Sequence, residues 1–476
     1  MTKVKILDLF AGGGGFSAGF ANSRNSDLEF ELHRALEINE EACLTLENRY
    51  GSHRVIKGDI TKQSVKDRIL NDCKGVDVII GGPPCQTFSL AGPARSGSIE
   101  MREQLRNDPR NTLYKHFLEL VEKLKPPFVV FENVEGMVSK KVETDLSQKQ
   151  EKVIELVCDE LEALGYHTKV DGQDRRYQVL NSADYGTPQV RKRIIIIANR
   201  FNIDNPMPIQ SHVSNYRTIG DAIKDLPIRL PIISTSRMEK LKNIETLKKY
   251  YPVSLDAFMD RMEDLTFHVH SEQQGIKELN YQLKDFYENI KTRKNYKINA
   301  LHNFINFYNL LVEKLEINRF GENPFNLSHQ SREHNFRDVV IFSLMKQGSN
   351  SARFMNPINE DYDIVLDELY PYARSKHKDT YVKHSWDRPS NTILAHMEKD
   401  GLKFIHPEQP RTFTPYEAAL LQSFPDDYRF YGGRNAQFRQ IGNAVPPKMA
   451  EAIGNAILKT ISDNRNIIRP EIIEVK

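Results

Sequence analysis

Of the four cysteines in the chain, Cys85 differs from the others by its neighbours, Pro83-Pro84-Cys85-Gln86. These build a rigid loop rather than an apolar strand, and a thiol on such a loop is placed to attack. A free thiol ionises near pH ~8.5, so a useful nucleophile needs a depressed pKa or a partner base at the moment of attack. Candidate helpers are Glu132, in Glu132-Asn133-Val134, and the cationic pair Arg191 and Arg193, in Gln189-Val190-Arg191-Lys192-Arg193. Cys43, Cys73 and Cys158 lack this setting and read as buried structural thiols. The cysteines form no Cys-x-x-Cys pair and no cluster with histidine, which argues against a zinc site or a disulfide framework.

A second set of residues suits a cofactor. The run Asp8-Leu9-Phe10-Ala11-Gly12-Gly13-Gly14-Gly15 lets backbone approach a ligand closely, and Glu37 can accept both hydroxyls of a ribose. Gly13-Gly14-Gly15-Phe16-Ser17-Ala18 also satisfies the G-x-G-x-x-A dinucleotide fingerprint. The loop alone therefore leaves open a nicotinamide or flavin cofactor and another adenosine-bearing one.

Positioning these groups requires a sheet. Short apolar runs at 4–9, 32–38, 54–56, 76–80, 128–131 and 194–198 alternate with helical patterns at 40–50, 112–124 and 150–164. Lys125-Pro126-Pro127 and Gly165 stop the last two helices. Repeated βα units of this kind predict a doubly wound α/β fold with a mostly parallel sheet. In such sheets ligands gather at the carboxyl ends of strands, where the glycine loop, Glu37, Gly58-Asp59-Ile60, the Cys85 loop and Glu132 all fall.

A length of 476 residues exceeds one ordinary compact domain. The expected division is a catalytic and cofactor domain at 1–205, completed by 430–476, a second domain at 206–385, and a hinge and motif segment at 386–429. A net charge of +2 means that any nucleic-acid contact must come from a local basic surface. Mean hydropathy is −0.54 and no long apolar span is present, so the expected compartment is the cytoplasm.

Over residues 4–200 and 386–458 the chain resembles the DNA cytosine-5 methyltransferases, in the layout of bacterial restriction-modification enzymes. The resemblance rests on Asp8 to Gly15, Glu37, Gly58-Asp59-Ile60, Pro84-Cys85-Gln86 with Phe88-Ser89, Glu132-Asn133-Val134, Tyr185-Gly186-Thr187-Pro188-Gln189 with Arg191 and Arg193, and Gln440-Ile441-Gly442-Asn443. Thr414-Pro415 and Leu421-Gln422-Ser423-Phe424-Pro425 precede the last.

The resemblance implies transfer of a methyl group from S-adenosylmethionine to C5 of a flipped-out cytosine, without a metal. By the same resemblance Cys85 would add to C6 and Glu132 would act at N3. Arg193 would contact O2, and Arg191 would fix the Glu132 carboxylate or the Cys85 loop, although this division between the arginines stays open. Asp8, Phe10, Gly12, Gly14, Glu37, Asp59, Ile60, Pro84, Leu113 and Asn443 would form the cofactor pocket. Gln86 and Ser89 would lie on a loop closing over the extruded base. Residues 206–385 would read double-stranded DNA, and a cognate restriction endonuclease acting on the same site is a possible functional partner of a monomeric enzyme. Basic and aromatic residues interleave at 248–251, 293–297 and 334–337, but such runs more often form solvated faces than DNA contacts, so none is assigned to specificity. Alternatives are a transfer-RNA cytosine-5 methyltransferase and a catalytically silent DNA-binding regulator on the same scaffold.

Overall fold

The computed structural model describes residues 1–84, 112–138, 141–143, 150–234, 244–267, 274–292, 298–320, 328–352, 360–372, 379–397 and 401–468. Cys85, Gln86 and Ser89 lie outside them. The described residues divide into two compact units. The first comprises 1–217, 389–395 and 419–476, and the second 218–388 and 396–418.

The first unit is built on a seven-stranded sheet. Its strands are β1 (Thr2–Leu9), β2 (Leu28–Glu37), β3 (Val55–Lys57), β4 (Val78–Gly81), β5 (Phe128–Val134), β6 (Gln178–Asn181) and β7 (Lys192–Asn199). They lie in the order β3-β2-β1-β4-β5-β7-β6. Strands β1 to β5 run parallel, whereas β7 is antiparallel to both β5 and β6. The direction of winding reverses between β1 and β4, so the loops leaving their carboxyl ends flank the crevice that such folds use for ligands.

Both faces of the sheet are covered at its centre, which is why β4, β5 and β7 carry unbroken apolar runs, whereas β2 alternates apolar and polar residues. Val4, Ile6, Val78, Ile80, Phe128, Val130, Ile195 and Ile197 pack on one side with Phe16 and Phe20 of α1 (Gly15–Asn22) and with Met449, Ile453 and Ile457 of the C-terminal helix Pro447–Asp463. Leu7, Leu9, Ile79, Val129, Phe131, Ile194 and Ile196 pack on the other with α3 (Gln63–Asp72), α4 (Leu113–Leu124) and α5 (Val153–Ala163). On α2 (Glu40–Tyr50) the Asn39 side chain accepts from the Ala42 N–H, and Glu40 and Glu41 face the positive end of the helix dipole.

Strand β6 has no counterpart among the apolar runs. It is a short edge strand in which Gln178 is buried and Val179 exposed, so its composition carries no strand signal.

The second unit is mainly helical, with helices Ile244–Phe267, Gln274–Thr292, Ile298–Phe320, Phe336–Leu344 and Glu360–Leu369 around one apolar core. The run at 334–337 is not a solvated face: His334, Phe336 and Arg337 are buried, and Asn335 caps the helix by accepting from the Asp338 N–H. Phe304 and Tyr308 are likewise core residues. At 334–337 the polar members find protein partners rather than solvent: the Arg337 guanidinium donates to Asp338, in a helix whose nine residues are all buried.

Helix α1 and the C-terminal helix meet without an intervening side chain. A Cβ at Gly19 would lie 2.3 Å from the Pro447 carbonyl oxygen and 2.4 Å from Ala450 Cβ. Gly19→Ala is expected to destabilise the protein by about 1–3 kcal/mol through this overpacking, measured as a lower urea midpoint with unchanged slope. An unshifted midpoint would mean that the two helices are not in contact in solution.

Candidate active site

The register of β5 against β7 decides which groups meet. Val134 pairs with Arg193 and Glu132 with Ile195, so Glu132 and Arg193 are diagonal neighbours on one face. Arg193 Nε lies 2.8 Å from Glu132 Oε1, and both side chains are almost fully withdrawn from solvent. Burial raises the Glu132 carboxyl above its ordinary range, and the guanidinium groups of Arg193 and Arg191 oppose that rise. The other carboxylate oxygen points at the loop that leaves β4. A Cβ at Gly82 would stand 2.4 Å from Glu132 Oε2, so a larger residue there would displace the carboxylate. Asn133 Nδ2 donates to the Pro83 carbonyl at 3.2 Å, and Asn133 Oδ1 accepts from the Val134 N–H at 2.9 Å. The Glu-Asn-Val motif thus grips the stem of the loop that continues into Cys85.

The remaining described candidates surround the ends of β1 to β3. Gly12 donates its N–H to Glu37 Oε2 at 2.7 Å, and Glu37 Oε1 accepts from the N–H groups of Ile38 and Asn39 at 2.9 and 2.8 Å. Phe10, Gly12 and Gly14 all have positive φ, at 63°, 54° and 78°. For a bulky residue such as Phe10 this conformation is rare. Asp59 Oδ1 accepts from the Thr61 N–H at 2.9 Å, and that bond holds its carboxyl below the usual range. Ile60 is buried beside Leu9 and Leu36 in the core, Leu113 opens α4 half-buried, and Pro84 and Asn443 are exposed. Asp8 is buried and accepts from the Ser17 hydroxyl. Burial pushes its carboxyl up to about 7, the Ser17 bond opposes this, and Glu37 adds to it.

Arg191 acts on Glu132 only through its field and makes its hydrogen bonds to other groups. Its guanidinium is fully buried and donates to the carbonyls of Ile393, at 3.0 Å, and Gly442, at 2.8 Å. Beside it, Gln189 accepts from the Ile393 N–H at 2.7 Å and donates to Gln422 Oε1 at 2.9 Å, while Gln422 donates to the Ile441 carbonyl at 2.8 Å. A Cβ at Gly442 would lie 2.4 Å from Ala395 N. Arg191 and Gln189 therefore bind segment 389–395 and the helix Arg434–Asn443 to the foot of β7.

The three described cysteines, Cys43, Cys73 and Cys158, are buried, and burial pushes each thiol up to about 12. They are poor nucleophiles at neutral pH.

The sequence profile described as C-5 cytosine-specific DNA methylase matches residues 4–459. This chain belongs to that family. It is 30% identical over 480 residues to M.OihORF3336P of Oceanobacillus iheyensis, named as a candidate type II methyltransferase, covering 96% of each chain. It is 29% identical over 459 residues to the type II methyltransferase M1.HphI of Haemophilus parahaemolyticus, covering 96% of this chain and 87% of the relative. The fold is similar to that of a solved candidate DNA modification methyltransferase encoded within a prophage of E. coli, with a TM-score of 0.54, 21% identity and coverage of 96% and 99% of the two chains. The protein is a DNA cytosine-5 methyltransferase, a transferase, and this closes the nicotinamide and flavin readings of the glycine loop.

Family and fold imply that this cytosine-5 methylase uses S-adenosylmethionine, and the residues present fit it. Gly12 faces open space, with nothing within 4 Å of where its Cβ would stand. The carboxylates of Glu37 and Asp59 are the kind of acceptor that sugar hydroxyls and an adenine amine would need, and Phe10 is the kind of apolar wall that a purine would need. Sequence reasoning assigned no role to Gln189 or Gln422; the signal available was a glutamine inside an otherwise apolar or motif-bearing stretch. No helix among the described residues of the methylase is long and apolar enough to cross a membrane.

The buried Asp8 makes stability depend on pH. The unfolded chain releases this proton near 3.8, whereas the folded protein keeps it to about 7. The contribution is fully present below pH ~4 and is lost as pH rises through 7. Asp8→Asn, which still accepts from Ser17, should therefore gain on the wild type as pH rises from 4 to 7, by a limit of about 4 kcal/mol. Urea denaturation of cofactor-free protein at pH 4.5 and 7.5 measures this, and a difference that stays constant with pH would refute it.

Proposed function

We propose that the protein methylates C5 of a cytosine flipped out of a specific duplex DNA sequence, with Cys85 as covalent nucleophile and Glu132 as acid at N3. The observation that carries this reading is the Glu132–Arg193 pair at 2.8 Å, set against Gly82 at the start of the loop that leads to Cys85. A target base has to leave the stack because C6 is out of reach inside a duplex.

The Cys85 sulfur forms a bond to C6, and the ring electrons move toward N3, where Glu132 donates a hydrogen bond or a proton. Its raised pKa suits that role, since a carboxyl that keeps its proton more readily is a better donor near neutrality. Arg193 holds the carboxyl in place and presents the rest of its guanidinium toward O2 of the base. The addition makes C5 a carbon nucleophile. S-adenosylmethionine supplies the electrophile, a methyl group on a sulfonium. Once C5 has taken the methyl group, with the neutral thioether as leaving group, N3 returns its proton to Glu132 and a solvent water removes the C5 proton; the C5–C6 double bond re-forms as the C6–sulfur bond breaks and the Cys85 thiolate leaves, so the protein is regenerated.

In the same reading Glu37 accepts from the ribose, Asp59 and Ile60 meet the adenine, and Asp8, Phe10, Gly12, Gly14, Pro84, Leu113 and Asn443 complete the pocket. Arg191 acts through Gly442, whose carbonyl it holds, to place Asn443. Gln86 and Ser89 close over the base, and the helical second unit reads the DNA sequence. The enzyme works as a cytoplasmic monomer and shields host DNA from an endonuclease with the same site, as the type II naming of M1.HphI suggests.

Purified protein incubated with labelled S-adenosylmethionine should label duplex DNA and not transfer RNA; label entering RNA alone would reverse the substrate assignment. Cys85→Ala should abolish turnover, and Glu132→Gln should lower kcat by about 10²- to 10⁴-fold. DNA carrying 5-fluorocytosine should trap the wild type as a covalent adduct, because fluorine cannot leave C5 as a proton. An active Cys85→Ala variant removes the nucleophile assignment.

A further inference from the structure

The glycine loop has two sides, and its glycines serve different ones. Gly12 alone opens onto free space, where its N–H is held by Glu37. Gly13, Gly14 and Gly15 are backed by protein. A Cβ at Gly13 would meet Phe430 Cε1 at 2.9 Å, one at Gly14 the Tyr428 hydroxyl at 2.4 Å, and one at Gly15 the Val445 carbonyl at 2.3 Å and Phe424 Cζ at 3.2 Å. Phe424, Tyr428 and Phe430 form one aromatic cluster, with ring centroids 4.9 to 5.3 Å apart.

Within that cluster Tyr428 has the only hydroxyl. It is buried and donates to the Gly13 carbonyl at 2.8 Å. Arg49 lies over its ring, 5.3 Å from the centroid, and pairs with Asp427 at 2.7 Å, which fixes the ring from outside. Thr45 accepts from the Tyr431 N–H at 2.9 Å and donates to Gln440 at 2.7 Å, closing the segment onto α2.

We propose that Tyr428 is a positioning residue for the cofactor loop: its hydroxyl fixes the Gly13 carbonyl and, through the one peptide unit between them, orients the Gly12 N–H and the Glu37 carboxylate that it meets. The inference rests on the reading that this loop holds S-adenosylmethionine. The Gly13 carbonyl is one peptide from the Gly12–Glu37 contact. Without the hydroxyl it is a buried acceptor lacking its partner, and the bond that fixes this carbonyl's direction within the loop is lost.

The test compares wild type, Tyr428→Phe and Ile457→Val, the last a core truncation that lowers stability without touching the loop. Calorimetry with S-adenosylmethionine gives the Kd, and steady-state kinetics separate the KM values for cofactor and DNA from kcat. Tyr428→Phe should weaken cofactor binding about tenfold and raise its KM in step. The KM for DNA and kcat at saturating cofactor should stay within about twofold. Ile457→Val should bind the cofactor as the wild type does. Wild-type affinity in Tyr428→Phe, or an equal loss in Ile457→Val, overturns the positioning role. A wild type that binds no S-adenosylmethionine removes the cofactor reading of the loop, and this inference with it.

Discussion

A carboxyl group buried at the end of a sheet must be met by a cation or keep its proton. Glu132 does some of each: Arg193 lies against one oxygen and burial still lifts its pKa. That balance is useful only if the geometry around it is rigid. Gly82 leaves no room for the carboxylate to move toward β4, and Asn133 ties the Pro83 carbonyl to the same strand end. A carboxyl, its counter-ion and the stem of the loop that leaves β4 are thereby carried on neighbouring strands and held against one another.

The same economy holds the C-terminal segments. Arg191 is a full charge in the interior with no carboxylate within hydrogen-bonding reach among the described residues; carbonyls of Ile393 and Gly442 take its place. A lysine could not reproduce two divergent donors in one plane. Gln189 and Gln422 continue the network with one donor and one acceptor each, so residues brought from distant parts of the chain are joined by bonds that only these side-chain shapes complete.

Much of this was legible in the sequence, for identifiable reasons. Parallel strands covered on both faces carry unbroken apolar runs, so β4 and β5 were readable to within a few residues; β1 was readable from its apolar half, and α2 from its helical pattern at 40–50. The strand-end motifs followed from the rule that ligands collect there. The division of labour between Arg191 and Arg193 was not readable, because it depends on β7 being antiparallel and on its register against β5. A shift of one residue would turn Arg193 to the other face. Strand β6 was invisible because an edge strand with a buried Gln178 carries no apolar run. In the second unit, His334, Phe336 and Arg337 looked like surface residues because composition does not show that the buried arginine finds its counter-ion in the next residue, Asp338, of a helix buried on every side.

The first unit is discontinuous, and its core explains why the final motif must return to the beginning of the chain. One face of the sheet, carried by Val4, Ile6, Val78, Ile80, Phe128 and Val130, is completed by Met449, Ile453 and Ile457. Without the C-terminal helix that face would be bare apolar surface, of a size that soluble proteins rarely leave exposed. The helix packs on α1 at Gly19, and α1 begins at the glycine loop, so closing the core also sets the angle at which the loop leaves β1. The helix that completes this side of the core therefore also packs against the helix that begins at the glycine loop, so the end of the chain and its first turn share one set of contacts.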